Sequence, residues 1–469
     1  MPNHHELTHR LAAHGQEHLL RWWPALTDQQ RERLAAQIDG LDLKLVANLY
    51  HQHRAGKALS HPLEHIEPAP VIRLSSSDQA ERDRRARRRG IESLRAGKLA
   101  AVLVAGGQGT RLGFDLPKGM FPIWPTRGTS VFQILCEKML ATSRRYGVEI
   151  PYYVMTSAAT HDATVRFFEE QRYFGLDPQQ VMFFEQGAMP SVDRASGKVL
   201  LTEQHQIALS PNGHGGALAA LADEGPLADM RRRGVETIYY HQVDNVLANV
   251  LDPLFIGHYL EAGADAAVKV VPKLGPTDTV GNLVQVDGKT QIIEYSELPV
   301  ELAHRPNPDR TLWIWAGSTA IHLFDVALLE RLARDPTALP YHAATKVVAY
   351  VDEHGRKVTP REPNALKFER FIFDILPRAE KCVVVETTRH EEYDPLKNAS
   401  GPHSPESVRQ SLSTFYADWL QSAGVEVPRL PDGGSAVAIE ISPLYALDRD
   451  ELREKYAGPR RLTEPTHLG

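Results

Sequence analysis

The stretch LVAGGQGTRLGFDLPKGMFPI, residues Leu103 to Ile123, places five glycines, an arginine and a lysine directly after an apolar run. The run begins at Leu99 and is typical of a buried strand. Residues 129–147 have helical periodicity, with Thr129 or Ser130 as the candidate N-terminal cap and Gly147 as the candidate end of the helix. Glycines let backbone N–H groups approach phosphate oxygens, and ligands of open α/β sheets bind at the carboxyl ends of strands. The stretch therefore predicts a phosphate-binding loop in an α/β domain.

The rest of the chain supports the α/β class. After Gly97, short β-branched runs alternate with helical patterns, which indicates an open, mixed, mostly parallel sheet with crossover helices. The pair Asp287-Gly288 predicts a tight hairpin turn. We predict a helical N-terminal region (1–98), a central domain (99–380) and a small α+β C-terminal domain (381–469). The predicted strands are LAAVLVA, PYYVMTS, VMFFEQ, TIYYHQV, DAAVKVV and KCVVVETT.

Composition excludes several functional classes. A net charge of -6 gives no broad electrostatic reason to bind nucleic acid or an acidic membrane. The arginine-rich segment from Ser75 to Gly90 is interpreted as a solvated helix face rather than a nucleic-acid patch, because acidic residues interleave and aromatics do not. Cys136 and Cys382 lie in apolar segments, as buried thiols in a reducing compartment do. With no secretory signal and no membrane-length apolar run, we expect a cytoplasmic protein.

Two familiar phosphate loops do not fit the glycine-rich stretch. Its glycines lack the dinucleotide spacing G-x-G-x-x-G before a helix, which argues against an NAD-dependent oxidoreductase. A P-loop needs Gly-Lys-Ser/Thr, whereas Lys118 follows Pro117 and precedes Gly119. The order G-x-G-T-R, five residues, Pro-Lys instead matches the nucleotide-binding signature of sugar-1-phosphate nucleotidyltransferases.

Nearly the whole chain resembles the eukaryotic-type UDP-N-acetylhexosamine pyrophosphorylases, a branch of the UTP-dependent sugar-1-phosphate uridylyltransferases. The resemblance implies a Rossmann-like nucleotidyltransferase (GT-A-like) fold and attack of a sugar-1-phosphate on the α-phosphorus of UTP, giving a UDP-sugar and pyrophosphate. The matching stretches are GQEHLLRWWP, the glycine-rich stretch, MTS, RYFGL, FFEQGAMP, YYHQVDN, DPLFIG, EYSEL, LKFERFIFDI and YDPLKNA.

The resemblance also implies nucleotide-binding residues. Arg111 and Lys118 would clamp the triphosphate and stabilise the leaving pyrophosphate, and Gln186 would offer a donor and an acceptor to uracil. Asp244 follows the run TIYYHQV, so we expect it at the carboxyl end of a strand, holding Mg²⁺ or alternatively Mn²⁺. An aspartate there could instead cap the next helix. The other implied nucleotide-binding residues are Val104, Ala105, Gly106, Gly107, Gly213 and Lys367.

On the sugar side, the resemblance implies that Glu294 and Tyr295 bind the sugar and that Lys397 meets its phosphate. Gly281, Phe371 and Phe373 match further sugar-site positions, although strand alternation favours only one phenylalanine facing the pocket.

Two sugar-site positions depart from the pattern of the resembled family. His214 and Ser318 stand where it has asparagines. The motif P-x-G-H-G is reminiscent of the glucose and broad-specificity branches. N-acetylglucosamine 1-phosphate is therefore the leading acceptor, and glucose 1-phosphate or another hexose 1-phosphate is the alternative. A non-catalytic UDP-sugar sensor is a rival from another class. The sequence predicts UTP and a hexose 1-phosphate as ligands and leaves the oligomeric state undetermined.

Overall fold

The structure, a computed structural model, describes residues 4–56, 65–74 and 79–469. They form two compact units. The larger unit comprises the described residues of Leu63–Glu185, Ala220–Ala338 and Ile375–Gly469. The smaller unit comprises those of Met1–Pro62, Gln186–Ala219 and Leu339–Asp374.

Helices and strands alternate along most of the chain. The α-helices are α1 (His4–Ala12), α2 (Asp28–Asp39), α3 (Leu43–Arg54), α4 (Gln79–Arg95), α5 (Val131–Tyr146), α6 (His161–Glu170), α7 (Ala217–Asp223), α8 (Pro226–Arg233), α9 (Pro253–Ala262), α10 (Val300–Ala303), α11 (Val326–Ala333), α12 (Arg389–Glu392), α13 (Pro405–Ser422) and α14 (Arg449–Lys455). Short 3-10 helices lie at Glu17–Leu20, Trp23–Ala25, Thr110–Leu112, Lys118–Met120, Arg172–Gly175, Pro178–Gln180, His214–Gly216 and Ile372–Arg378.

The strands are β1 (Ile66–Pro68), β2 (Leu99–Val104), β3 (Tyr152–Thr156), β4 (Val181–Glu185), β5 (Ala188–Pro190), β6 (Val192–Asp193), β7 (Leu201–Glu203), β8 (Gln206–Ile207), β9 (Leu209–Pro211), β10 (Thr237–Gln242), β11 (Ala266–Pro272), β12 (Asn282–Val286), β13 (Lys289–Ile293), β14 (Ala316–Asp325), β15 (His342–Lys346), β16 (Tyr350–Val351), β17 (Lys357–Val358), β18 (Ala365–Glu369), β19 (Cys382–Glu386), β20 (Ile439–Ile441) and β21 (Thr466–Leu468).

A ten-stranded sheet forms the centre of the larger unit. Its strand order is β1-β12-β14-β10-β2-β3-β4, with β11 between β14 and β19 and with β13 beside β12. The pairings give β2, β3, β4, β10, β11, β12 and β19 one common direction, and β14 runs against its neighbours. The predicted mixed, mostly parallel sheet is confirmed.

Local signals also set element boundaries as predicted. Ser130 caps α5 by accepting a hydrogen bond from the backbone N–H of Gln133, and Gly147 ends the helix with φ 65°. The turn between β12 and β13 has positive φ at Asp287 (50°) and at Gly288 (76°), as a tight hairpin requires.

The arginine-rich segment forms α4 from Gln79 onward, while residues 75–78 lie outside the described residues. The buried face of α4 packs against α9 and includes two small residues, Ala86 and Gly90. A Cβ on Gly90 would lie 1.9 Å from the carbonyl oxygen of Pro253, so the two helices touch backbone to backbone there. The arginines occupy the remaining exposed faces, in agreement with a solvated helix.

The two units differ from the predicted division at residues 98/99 and 380/381. Strand β1, from the region expected to be helical, pairs with β12, and β19 pairs in parallel with β11 inside the central sheet. Main-chain hydrogen bonding thus joins both flanking segments to the sheet. Helices α1–α3 instead share a core with residues of the smaller unit such as Val192, Leu366 and Phe368.

Two further expectations concern membranes and thiols. Within residues 4–56, 65–74 and 79–469, no helix combines the length and apolarity needed to cross a membrane. Both cysteines are free: Cys136 is fully buried, and Cys382 is partly exposed. Burial raises the pKa of both thiols.

Candidate active site

The glycine-rich loop after β2 is closed on itself by backbone hydrogen bonds. The N–H of Gly109 donates to the carbonyl of Leu116 at 2.9 Å, and the N–H of Lys118 donates to the carbonyl of Gly107 at 3.1 Å. Ser157 directly follows the neighbouring strand β3, and its buried hydroxyl donates to the carbonyl of Gly106 at 2.8 Å. The loop therefore has a defined shape at the carboxyl end of the sheet.

The glycines of this loop serve different purposes. Gly107 has nothing within 4 Å of the position that a Cβ would take, so space is open beside its backbone. At Gly109 a Cβ would lie 2.7 Å from the carbonyl oxygen of Phe114, and at Gly119 it would lie 2.3 Å from the ring of Phe132. Packing thus explains Gly109 and Gly119, whereas Gly107 leaves room for a ligand.

Asp244 lies beside this loop because of the sheet register. Strand β10 pairs in parallel with β2, and the last pair is Gln242 with Val104. The next N–H along β10, that of Val243, donates to the carbonyl of Val104 at 3.0 Å. The half-buried Asp244 therefore follows at the carboxyl edge of the sheet, as the sequence predicts.

A distant segment brings Lys397 to the same place. The N–H of Leu396 donates to the carbonyl of Asp244 at 2.8 Å, and the Nζ of Lys118 donates to the carbonyl of Leu396 at 3.1 Å. The structure thus brings together Lys118, Asp244 and Lys397 from three separate segments, and these three residues form the charged cluster. Arg111, on the exposed 3-10 helix of the loop, lies within electrostatic range of Lys118.

The two lysines respond oppositely to this environment. Burial, together with the charges of Lys397 and Arg111, lowers the pKa of Lys118 against the opposing effect of Asp244. Burial also acts to lower the pKa of Lys397, but Asp244, Tyr393 and Glu294 outweigh it and raise that pKa. An excess of positive charge around Lys118 is the environment that a polyphosphate would relieve.

The sugar-side candidates of the larger unit also come together. The N–H of Ser318 donates to the carbonyl of Gly281 at 2.8 Å. A Cβ on Gly281 would lie 3.6 Å from Oε1 of Glu294 and 3.8 Å from Cβ of Ser318. Glu294 in turn contributes to the raised pKa of Lys397. Tyr295, after β13, is 52% exposed and stands at the surface.

In the smaller unit, His214 belongs to an aromatic cluster. Its ring stacks on Phe371 with centroids 5.3 Å apart and lies 5.6 Å from Phe373, and its Nδ1 accepts a hydrogen bond from the N–H of Ile372 at 3.2 Å. Both phenylalanine rings therefore lie beside His214, whereas the sequence-based expectation is that only one of them faces the pocket. Residues 372–378 form a 3-10 helix, so strand alternation does not apply.

The remaining nucleotide candidates of the smaller unit occupy well-defined backbone positions. Gly213 has φ 83°, and a Cβ there would lie 2.4 Å from the carbonyl oxygen of Arg370, so only glycine fits. Gln186 is half-buried between β4 and β5, and Lys367 is half-buried on β18 opposite Ala344.

A divalent ion would find one carboxylate in the charged cluster. The described residues contain no group of three or more His, Cys, Asp or Glu side chains arranged to hold a metal. Mg²⁺ bound with a nucleotide does not need such a group, because one or two carboxylates, phosphate oxygens and water complete its shell. The single carboxylate of Asp244 fits that requirement.

Two residues of the site were not predicted individually. Ser157 donates a hydrogen bond to the carbonyl of Gly106, and Tyr393 helps to raise the pKa of Lys397. Both lie in stretches that carry the resemblance, MTS and YDPLKNA, which is the signal that could have pointed to them.

Comparisons with known proteins identify the family of the chain. The family described as UTP–glucose-1-phosphate uridylyltransferase matches residues 44–414. The chain is 38% identical to the human UDP-N-acetylhexosamine pyrophosphorylase-like protein 1, covering 100% of this chain and 97% of that protein. It is 34% identical to the UDP-N-acetylglucosamine pyrophosphorylase of Saccharomyces cerevisiae, over 91% and 92%. The solved uridine diphosphate N-acetylglucosamine pyrophosphorylase of Trypanosoma brucei, 26% identical, superposes with a TM-score of 0.81 over 98% and 97%.

Proposed function

The chain belongs to the UTP–glucose-1-phosphate uridylyltransferase family, and we propose that it transfers a uridylyl group from UTP to N-acetylglucosamine 1-phosphate. An oxygen of the sugar phosphate attacks the α-phosphorus of UTP. The bond from that phosphorus to the oxygen bridging the α- and β-phosphates breaks, and pyrophosphate leaves. UDP-N-acetylglucosamine is the other product. The central sheet would be that of a GT-A-like nucleotidyltransferase.

The observation that carries the proposal is the cluster of Lys118, Asp244 and Lys397 beside the glycine-rich loop. Such a transfer requires alignment of two phosphates and neutralised charge, with little covalent work by the protein. Lys118, with Arg111, is suited to the leaving pyrophosphate because burial, together with the charges of Lys397 and Arg111, lowers its pKa, and an anionic ligand would relieve that concentration of positive charge. Lys397, whose pKa is raised by anionic neighbours, is suited to the acceptor phosphate.

The backbone beside Gly107 would approach the UTP phosphates through the space that the missing side chain leaves. Mg²⁺, bound through Asp244 with phosphate oxygens, would neutralise charge on the triphosphate. Gln186 and Gly213 take the uracil roles that family membership implies.

The acceptor is proposed from the similarity to N-acetylglucosamine pyrophosphorylases. Glu294 would accept hydrogen bonds from sugar hydroxyls. A plain hexose 1-phosphate is the second candidate, favoured by His214, whose ring is packed on Phe371 and Phe373 at a position where an asparagine was expected. Because Nδ1 of His214 already accepts a hydrogen bond from Ile372, the proton of a neutral ring lies on Nε2.

We further propose a cytoplasmic location, on the ground that both thiols are free.

The test is pyrophosphate release from UTP and Mg²⁺ with a panel of N-acetylglucosamine, N-acetylgalactosamine, glucose and galactose 1-phosphates. We expect the highest kcat/KM with N-acetylglucosamine 1-phosphate. A preference for glucose 1-phosphate would establish the second candidate. If calorimetry detects binding of a UDP-sugar but no pyrophosphate is released with any acceptor, the protein would instead be a non-catalytic sensor.

A further inference from the structure

Asn245, the residue after Asp244, joins two segments of the charged cluster. Its side chain is 3% exposed. The Nδ2 donates to the carbonyl of Glu392 at 2.7 Å, and the Oδ1 accepts from the N–H of Asp394 at 3.4 Å. One amide side chain therefore holds the segment that begins at Glu392 through both of its polar atoms.

The same two segments are also joined through their main chains, since the N–H of Leu396 donates to the carbonyl of Asp244 at 2.8 Å. Lys397 follows immediately. Residues 392–397 are thus held beside Asp244 at both ends, by Asn245 at one end and by the main chain of Asp244 at the other.

Glu392 is itself a firm point of attachment. Its carboxylate is buried and binds the Nζ of Lys269 at 2.8 and 2.6 Å and the hydroxyl of Thr387 at 2.7 Å. Lys269, only 2% exposed, also pairs with Asp252 at 2.8 Å. Asn245 consequently contacts a part of the backbone that a buried ionic network already fixes.

We propose that Asn245 is a positioning residue for uridylyl transfer: it sets the placement of Lys397 relative to the carboxylate of Asp244. The inference rests on the proposed function, in which Asp244 holds Mg²⁺ and Lys397 meets the acceptor phosphate. Alignment of two phosphates tolerates little error, and a 1 Å displacement can cost about 100-fold in rate.

The amide is the chemistry that this position requires. Aspartate has nearly the same shape and keeps an acceptor for Asp394, but it lacks the donor and would set a carboxylate against the carbonyl of Glu392. Alanine loses both hydrogen bonds and leaves two buried main-chain groups without these partners. Asn249 offers a control in the same loop, since it is exposed and the hydrogen bond it accepts from Tyr239 uses its main-chain carbonyl.

The experiment compares wild type with Asn245→Ala, Asn245→Asp and Asn249→Ala, measuring kcat, the KM for each substrate, the Mg²⁺ concentration for half-maximal rate and the thermal midpoint. We expect kcat to fall about 30-fold or more in both Asn245 variants, with the KM for UTP within about threefold and with Asn249→Ala like wild type. The isosteric Asn245→Asp keeps the test valid if truncation to alanine weakens folding.

A double-mutant cycle with Lys397→Ala separates positioning from general support of the fold. If Asn245 acts through Lys397, its replacement costs much less in the Lys397→Ala background, whereas a merely structural role gives additive losses. Additive losses, or a folded Asn245→Asp with kcat within twofold of wild type, would overturn the inference while leaving the proposed function intact. A wild-type protein without turnover on any acceptor would overturn both.

Discussion

The ammonium of Lys118 donates a hydrogen bond to the main-chain carbonyl of Leu396, 3.1 Å away. This contact joins the glycine-rich loop to the segment that ends in Lys397. The lysine proposed to meet the pyrophosphate is therefore bonded to the main chain next to the lysine proposed to meet the acceptor phosphate. The first prediction concerns this lysine.

Replacing Lys118 with alanine is expected to lower kcat by about 100-fold or more, the size of effect seen when one preorganised donor to a developing charge is removed. The thermal midpoint should stay near that of wild type, because burial already disfavours the charged form of this lysine. Steady-state pyrophosphate release and a melting curve test both statements. The surface residue Lys98, paired with Glu236, supplies a matched Lys98→Ala control. Near-normal turnover in Lys118→Ala would remove the assigned role.

Asp244→Asn is expected to raise the Mg²⁺ concentration for half-maximal rate and to lower kcat. The amide keeps the shape of the side chain, and the hydrogen bond from Leu396 to the carbonyl of residue 244 is main-chain and persists. The change therefore removes the charge alone. A Mg²⁺ titration of initial rates measures the effect, and an unchanged titration curve would contradict the metal assignment.

His214→Asn is expected to shift acceptor preference toward N-acetylated sugars by about tenfold in the ratio of kcat/KM values, a common size for a single changed contact. Its stacking on Phe371 and Phe373 and its bond from Ile372 hold the imidazole in one orientation, which asparagine would not reproduce. Competition between N-acetylglucosamine and glucose 1-phosphates gives the ratio directly. A ratio within twofold of wild type would mean that His214 does not set selectivity.

Gly107→Ala and Gly119→Ala form a matched pair within one loop. The first should fold normally, since its Cβ meets open space, but should weaken UTP binding about tenfold by occupying the approach of the phosphates. The second should destabilise the protein by about 1–3 kcal/mol, because its Cβ would overlap the ring of Phe132. Calorimetry with UTP and chemical denaturation distinguish the two effects. Equal UTP affinity in wild type and Gly107→Ala would contradict the phosphate-loop assignment.

The stability of the protein should fall in acid partly through His241. This side chain on β10 is fully buried and stacks on Tyr152 with centroids 6.0 Å apart, and burial together with the charge of Lys138 lowers its pKa from 6.5 to about 3. Below pH 6.5 the imidazole of His241 binds a proton in the unfolded chain, whereas in the folded chain it stays neutral until the pH approaches 3. Stability is therefore lost as the pH falls from 6.5 toward 3. Relative to His241→Phe, wild type should lose about 2 kcal/mol between pH 7.5 and pH 5.

Urea denaturation of wild type and His241→Phe at pH 7.5, 6 and 5 measures this difference. The other titrating groups are common to both proteins and cancel. A difference that does not change with pH would show that His241 is protonated in the folded state as readily as in the unfolded chain.

Local signals predicted the features that depend on neighbouring residues. Ser130 and Gly147 bound a helix because capping is decided within one turn, and Asp287-Gly288 forms a turn because its backbone conformation is set by the residues themselves. The position of Asp244 at the carboxyl edge of the sheet was predictable because this residue directly follows the apolar run that forms β10.

Features that depend on distant packing were not predictable in this way. No periodicity in residues 4–54 indicates that α1–α3 share a core with Leu366, and none indicates that β19 enters the central sheet. Phe371 and Phe373 share a cluster because a 3-10 helix begins between them, a turn that strand alternation does not anticipate. The positioning role proposed for Asn245 could not be predicted, because its hydrogen-bond partners, Glu392 and Asp394, are distant in sequence.

The smaller unit is assembled from three separated pieces of chain, and this has a consequence for synthesis on the ribosome. The apolar faces of α2 and α3, with Leu34 and Val46, belong to the same hydrophobic core as Leu366 and Phe368. At translation rates of about 5–20 residues per second, α2 and α3 are synthesised on the order of tens of seconds before Leu366 and Phe368. Nascent chains of this protein should therefore depend on chaperones until strand β18 has been made.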